Sequence, residues 1–202
     1  MQARGLLSTL SPAFGAVGFV FLWWAVTQMK LIDPVLLPSP QDSAQAIWTG
    51  FAKGTLMADL KVTVVRTLLA FLIATLICVP LGLVLGSSVR VYRSLEFVID
   101  FFRSTPASAL FPLFLVILGV GESTKVAVAA FGAGLLILFN TAYGVMNARK
   151  VRQAAAMVMG ASRTRVLVGV TLLESLPQTF IGMRSGISFA LVIVIVAEMF
   201  IG

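Results

Sequence analysis

The chain has 202 residues, of which 59% are hydrophobic and 11% are charged. Its mean hydropathy is +1.02. Soluble domains average about 45–50% apolar and about 25% charged residues, so this composition excludes an ordinary water-soluble globular protein. The net charge of +7 does not call for a nucleic-acid partner, because basic loops that face an anionic lipid leaflet account for it.

Five stretches of the sequence are apolar and long enough to cross a membrane. A helix needs about 20 apolar residues to cross a hydrocarbon core of about 30 Å, whereas a buried helix of a soluble protein needs only about 10–14. The sequence therefore predicts an all-α fold, a polytopic bundle of about five transmembrane helices. The stretches are Gly5–Met29, Thr67–Val89, Ser104–Gly121, Val126–Ala148 and Ser175–Ala197.

Lys and Arg residues are more frequent on one side of these predicted helices. If the N-terminus is cytoplasmic, Arg90, Arg93 and the basic residues between Arg149 and Arg165 all fall on the cytoplasmic side. This excess is the one that the positive-inside rule requires. The sequence therefore predicts a multi-pass protein whose longest inside loop lies between the fourth and fifth helices.

The residue types that usually build catalytic and metal centres are scarce. The sequence contains no His, its single cysteine, Cys78, falls within a predicted helix, and its eight acidic residues are scattered. It also lacks the G-x-x-x-x-G-K-[ST] pattern that cradles nucleotide phosphates. We therefore predict no catalytic residues, no metal site and no ATP site in this chain.

The segment after the first predicted helix carries two closely spaced prolines, in Leu37-Pro38-Ser39-Pro40. Prolines at this spacing favour an extended turn. Asp42 or Ser43 is then expected to cap a short amphipathic helix over Ala44–Phe51, which would lie at the membrane interface or against the bundle. The alternative is a plain loop.

The loop over residues 147–176 has an unusual composition. It begins with the basic run Arg149-Lys150-Val151-Arg152 and continues with small and apolar residues instead of the polar ones expected in a solvated loop. Gly160 is expected to end one short helix, and Ser162 to cap a second one over Arg163–Ser175. Because small side chains leave the backbone accessible, we interpret this loop as a docking surface.

A resemblance to a known family begins in the same loop. Ala155-Ala156-x-x-x-Gly160-Ala161-Ser162, followed by Leu176-Pro177, resembles the "EAA" loop of ABC-importer permeases, specifically those of the nitrate, sulfonate, taurine and bicarbonate group. Further motifs follow the family's order from residue 37 to the end: Leu37-Pro38-Ser39-Pro40, Thr63-x-x-Arg66, Pro80-Leu81-Gly82-x-x-x-Gly86, Pro106, Pro112-Leu113, Gly119-x-Gly121-Glu122-Ser123-x-Lys125, Asn140-Thr141 and Ala197-Glu198-Met199.

The sequence departs from the family pattern at three places. Ala154 stands where the motif has Glu, and Leu173-Glu174 replaces a proline that is frequent in the family. The chain also stops at Gly202, where the family normally continues into a further span. The first two departures bear on the coupling to an ATPase. With Ala154 flanked by Arg149, Lys150 and Arg152, the loop is expected to be positive and uncompensated.

The resemblance implies a type I importer permease fold, with a transmembrane helix in residues 1–36 and a permease core in residues 37–202. It implies that two such subunits, identical or different, form the pore in the bacterial inner membrane. Separate ATPase subunits bind the ATP, and a periplasmic or lipid-anchored binding protein delivers a small solute such as nitrate, a sulfonate, taurine or bicarbonate. The residues implied in ATPase coupling are Ala154, Ala155, Ala156, Gly160, Ala161, Ser162, Leu176 and Pro177.

Polar residues within membrane helices are costly and usually functional. They include Arg66, Asp100, Arg103, Asn140, Arg184 and Glu198, of which Arg66, Arg103, Asn140 and Glu198 are our candidates for the translocation pathway. Structural alternatives remain open: Asp100 and Arg103 neutralise each other, Asn140 bonds to another helix, and Arg66 and Glu198 pair within the bundle. For an oxyanion solute, Arg66 or Arg103 is the natural attractor.

Two other functions remain open from the residues alone. An ion-driven secondary transporter is expected to show two related halves with broken helices, and no internal repeat is visible. A membrane enzyme or scaffold subunit is disfavoured by the missing His and carboxylate clusters. The glycine pairs Gly82/Gly86 and Gly182/Gly186 are spaced for close contact between helices.

Overall fold

A computed structural model of the protein describes residues 3–201, without the side chains of residues 3–13, Thr55 and Arg103. This part of the chain is helical and contains no strand, which confirms the predicted all-α class. The helices are α1 (Ala3–Gln28), α2 (Pro40–Lys53), α3 (Thr55–Ser87), α4 (Val89–Ser104), α5 (Phe111–Leu118), α6 (Glu122–Met146), α7 (Lys150–Val158), α8 (Arg163–Val166) and α9 (Leu172–Ile201), with a 3₁₀ turn over Ala107–Leu110 and a π-helical segment over Leu167–Thr171.

The chain forms two compact units, which divide between Leu60 and Lys61. In the first unit, the predicted short helix exists as α2, but it begins earlier than expected. Ser39 is its cap, accepting a hydrogen bond from the Asp42 N–H at 3.1 Å, and Pro40 occupies the first turn. A proline is favoured there because the first N–H groups of a helix have no helical partner. The predicted cap at Asp42 or Ser43 was therefore wrong. The apolar side chains Ile47, Trp48 and Phe51 are exposed.

Within the described residues, three helical segments are long and apolar enough to cross a membrane: Leu56–Ser87, Glu122–Met146 and Arg163–Ile201. The predicted span Ser104–Gly121 is not one continuous helix. Thr105 is extended before Pro106, as the residue before a proline prefers, and the paired segments Val89–Phe102 and Ala107–Leu118 are bent by 81°. If that bent pair counts as one span, the described residues contain up to four candidate membrane spans. The predicted span Gly5–Met29 coincides with α1 up to Gln28, and the side chains of α1 are described only from Phe14 onward.

In the second unit, α6 is the most buried of the three candidate spans and packs against both α3 and α9. The core consists of small and branched residues such as Ala129, Ala133, Ile137 and Val194. Both predicted glycine pairs contact α6. A Cβ on Gly86 would lie 2.5 Å from the Ala142 carbonyl oxygen. The nearest atoms at Gly82 and Gly182 are 2.7 and 2.6 Å away, and at Gly186 the nearest is 3.0 Å away. Glycine is therefore required where the helices approach each other this closely.

The 147–176 loop has the predicted turn but a different second half. Gly160 has φ +87°, and the Ser162 hydroxyl accepts a hydrogen bond from the Arg165 N–H at 3.3 Å, so both the turn and the cap are confirmed. The helix that begins at Arg163 does not end at Ser175; it continues through the π-helical segment into α9. At 1.5 Å per residue, the 39 residues of Arg163–Ile201 extend about 58 Å, well beyond a hydrocarbon core of about 30 Å.

Candidate functional site

An ion cluster ties three helices together at one end of the second unit. Arg66 of α3 donates hydrogen bonds to both carboxylate oxygens of Glu122 in α6, and its Nη1 donates to Glu198 Oε1 in α9 at 2.6 Å. The Thr63 hydroxyl donates to the same Glu198 carboxylate at 2.9–3.0 Å. The side chain of Arg66 is only 15% exposed. This geometry corresponds to the alternative in which Arg66 and Glu198 pair within the bundle.

Lys125 belongs to the same cluster and was not singled out from the sequence. Its Nζ lies 4.0 Å from Glu122 Oε1, and the residue is almost completely buried. Glu122 therefore faces two cations from residues on different helices. The motif Gly121-Glu122-Ser123-x-Lys125 indicated the contact between Glu122 and Lys125, because oppositely charged residues three apart on one helix are neighbours.

Asn140 joins α6 to α9. Its Nδ2 donates to the Leu136 carbonyl oxygen at 2.8 Å, and its Oδ1 accepts a hydrogen bond from Gln178 Nε2 at 2.9 Å. This is the helix-to-helix hydrogen bond that the sequence left open as one alternative. Asn140 also lines a cavity of about 550 Å³. Among the side chains that the structure describes, the polar residues around that cavity are neutral: Tyr92, Ser104, Thr105, Asn140 and Tyr143.

The structure does not bring the four pathway candidates together at one point. Arg66 and Glu198 meet at the Glu122 end of α6, whereas Asn140 lies about 27 Å further along that helix at 1.5 Å per residue. The side chain of Arg103 lies outside the described part of the chain, so its predicted pairing with Asp100 stays a prediction. Asp100 and Arg184 are both exposed.

Helix α7 contains three of the small residues of the 147–176 loop, Ala154, Ala155 and Ala156. Val151 and Val158 are 81% and 88% exposed, and Ala154 and Ala155 beside them are also exposed. Ala156 faces the protein and is half-buried, as is Ala161 in the turn. Leu176 and Pro177 lie within α9, where Leu176 is half-buried. An exposed apolar helix face of this kind indicates an interaction site.

Glu174 of α9 contacts the start of α7, although the sequence marked this residue only as a departure from the family. Its Oε2 accepts a hydrogen bond from the Arg149 N–H at 2.6 Å, and its Oε1 accepts one from Arg152 Nη1 at 2.8 Å. The expectation that the basic run is uncompensated was therefore wrong for Arg152. The sequence contained an indication of this contact, because the acidic residue Glu174 stands where the family often has a proline and the basic run that begins at Arg149 lacks a balancing acid.

Comparison with known proteins agrees with this architecture. Residues 78–202 match the sequence profile of the binding-protein-dependent transport system inner membrane components. The taurine transport system permease protein of Escherichia coli is 32% identical over 88% of this chain and 66% of its own length. A probable ABC transporter permease protein of Brucella melitensis is 32% identical over 98% of this chain and 79% of its own length. A putative aliphatic sulfonates transport permease protein of E. coli is 31% identical over 95% of this chain and 73% of its own length.

The chain belongs to the family of binding-protein-dependent transport system inner membrane components. It is a non-catalytic, multi-pass permease subunit of an ABC importer in the inner membrane, with the type I importer fold. ATP is used by a partner subunit. The comparisons give no support to the alternative of an ion-driven carrier.

Proposed function

We propose that this permease subunit carries a small oxyanion, with an organic sulfonate as the first choice. The support is the identity of about one third to permeases named for taurine and for aliphatic sulfonates. A permease named for nitrate import is more distant, at 26% identity over 68% of this chain. The pore is formed with a second permease subunit, identical or different, and the permease core begins at residue 37, after the N-terminal helix.

The pathway passes the cavity lined by Asn140. Its hydroxyl and amide groups can donate hydrogen bonds to sulfonate oxygens, which accept several at once. Arg103 directly precedes Ser104 and Thr105, two lining residues, and is proposed as the cation that attracts the anion. Arg66 and Glu198 are proposed to close the bundle at the other end of α6.

The 147–176 loop is proposed to couple the permease to a partner ATPase on the cytoplasmic side. The observation that carries this proposal is the exposed apolar face of α7. This helix contacts the helical segment Arg163–Ile201, which is longer than a membrane span requires. An amphipathic helix with exposed Val151, Ala155 and Val158 is suited to a groove on a protein partner. A solute-binding protein would deliver the solute on the opposite side.

A cross-linking experiment tests the docking directly. In a Cys78→Ser background, Ala155→Cys should cross-link to the ATPase in the assembled complex. The matched control is Ser123→Cys, exposed at the far end of α6, which should not cross-link. Failure of Ala155→Cys to cross-link would contradict docking through α7.

Uptake in vesicles tests the solute. Vesicles that contain the permease, the ATPase and the binding protein should accumulate labelled taurine only with ATP inside. Sulfate and nitrate serve as competitors that rank the oxyanions. Uptake driven by an ion gradient without ATP would contradict the importer, and failure of every sulfonate to enter or compete would contradict the proposed solute class.

A further inference from the structure

Glu174 connects α7 to α9 through two hydrogen bonds. Its carboxylate accepts from the backbone N–H of Arg149 at 2.6 Å and from the guanidinium of Arg152 at 2.8 Å. The Glu174 side chain is 13% exposed, whereas that of Arg152 is 60% exposed, so the guanidinium side of this contact is open to water. We refer to Glu174, Arg149 and Arg152 as the Glu174 clamp.

The Glu174 clamp acts at the end of α7 that lacks a cap of its own. Arg149 is the N-cap residue, but its side chain makes no capping hydrogen bond, and the first turn contains no acidic residue. The first N–H groups of a helix have no helical partner, and the positive end of the helix dipole favours a nearby carboxylate. Glu174 supplies that carboxylate from another helix. Because a helix as short as α7 is marginal by itself, its order depends on such contacts.

A second contact holds the same face of α7. Gln153 Nε2 donates to the Thr171 hydroxyl at 3.1 Å, and Thr171 is buried at the end of the π-helical segment. Residues 149, 152, 153 and 156 share this inward face, while Val151, Ala155 and Val158 face outward. The outward face is therefore available for docking while the inward face is attached to the helix that becomes α9.

We propose that Glu174 is a positioning residue that transmits movement of the docked α7 into α9. The proposal rests on the proposed docking of α7 to the ATPase. Without the Glu174 clamp, the first turn of α7 loses its side-chain contact with α9. The Asn147–Arg149 turn and the Gln153–Thr171 hydrogen bond remain, and displacement of the first turn is absorbed in the Asn147–Arg149 turn. With the Glu174 clamp, displacement of α7 pulls on α9 within one turn of Pro177. The adjacent π-helical segment is the kind of irregularity at which a helix can shift.

The first test compares Glu174→Gln with Glu96→Gln, an exposed acid on α4, in vesicles with ATPase and binding protein. Glu174→Gln keeps the shape of the side chain and removes its charge. We expect the cross-link from Ala155→Cys to the ATPase to persist, while stimulation of ATP hydrolysis by the loaded binding protein falls several-fold. The number of ATP molecules hydrolysed per solute should rise. Glu96→Gln should behave as the parent protein.

The second test restores the connection chemically. Arg152→Cys and Glu174→Cys, combined in the Cys78→Ser background, should be as poorly coupled as Glu174→Gln. A short bifunctional thiol reagent that joins the two cysteines should recover the stimulated ATP hydrolysis, a result that a role in folding alone does not predict. Wild-type stoichiometry in Glu174→Gln with an intact cross-link to the ATPase would overturn the clamp and leave docking standing. Absence of that cross-link in the Ala155→Cys variant that keeps Glu174 would overturn docking itself.

Discussion

The guanidinium of Arg66 and the carboxylate of Glu198 meet at 2.6 Å, although 132 residues separate them in the sequence. The contact joins α3 to α9, and the second carboxylate, that of Glu122, adds α6 to the same cation. A charged group inside a membrane protein is tolerated when it is matched in this way. The cluster therefore holds the three long helices together at one end.

Replacement of Arg66 should destabilise the bundle. Arg66→Met leaves Glu198 half-buried without its cation, and we expect a loss of about 1.5 kcal/mol, the lower end of the range for hydrogen bonds to charged groups, because Glu122 is well exposed. The measurement is denaturant unfolding of the detergent-purified protein. Arg184→Met, at an exposed arginine of α9, is the control. Equal stability of the two variants would contradict a pairing role for Arg66.

The contact of α3 with α6 should be sensitive to a single methyl group. A Cβ at Gly86 would lie 2.5 Å from the Ala142 carbonyl oxygen, so Gly86→Ala must push two backbones apart. Overpacking of this kind costs about 1–3 kcal/mol. Gly18→Ala, where a Cβ meets nothing within 4 Å, is the matched control. Unfolding midpoints of the two variants in the same detergent should differ, and coincident midpoints would mean that the helices separate freely.

Gly160 should be required for its backbone conformation. Its φ of +87° is unfavourable for other residues, yet a Cβ there would meet nothing within 4 Å in this chain. Gly160→Val should therefore insert normally but reduce solute-stimulated ATP hydrolysis and uptake together. Gly160→Asn should retain more of both activities, because Asn tolerates the left-handed region. If Asn and Val variants are equally impaired, the constraint is space in the partner's groove and not the turn.

The charge around α7 should make docking sensitive to salt. Glu174 balances Arg152, but Lys150, Arg163 and Arg165 are exposed nearby. We expect the partner groove to be acidic or neutral, so that the affinity of the isolated ATPase for the reconstituted permease falls as salt rises. Ala154→Glu should then weaken docking at low salt. Stronger docking would indicate a basic groove, and an affinity independent of salt would mean that α7 docks by shape alone.

Local patterns were sufficient for some features of the 147–176 loop and not for others. Gly160 and Ser162 behave as predicted, because a turn and a cap depend on residues within a few positions. The prediction that the second helix ends at Ser175 was wrong. The helical segment Arg163–Ile201 is stabilised by packing and continues through that position. The break in the helix before Pro106 was not predicted, although the proline was visible in the sequence. The span was assigned from hydropathy, which takes no account of the backbone hydrogen bond that a proline removes.

The sequence by itself determined the class of the protein, the membrane-crossing helices α3, α6 and α9, and the 147–176 loop with its small residues. Composition and length decide these, because only a helix satisfies its own backbone polar groups in lipid. Tertiary structure alone decided the partners of the charged side chains: Glu122 and Glu198 for Arg66, and Glu174 for α7. Such pairs form between residues far apart in the chain, and a side chain's partner is set by which helix faces it after folding.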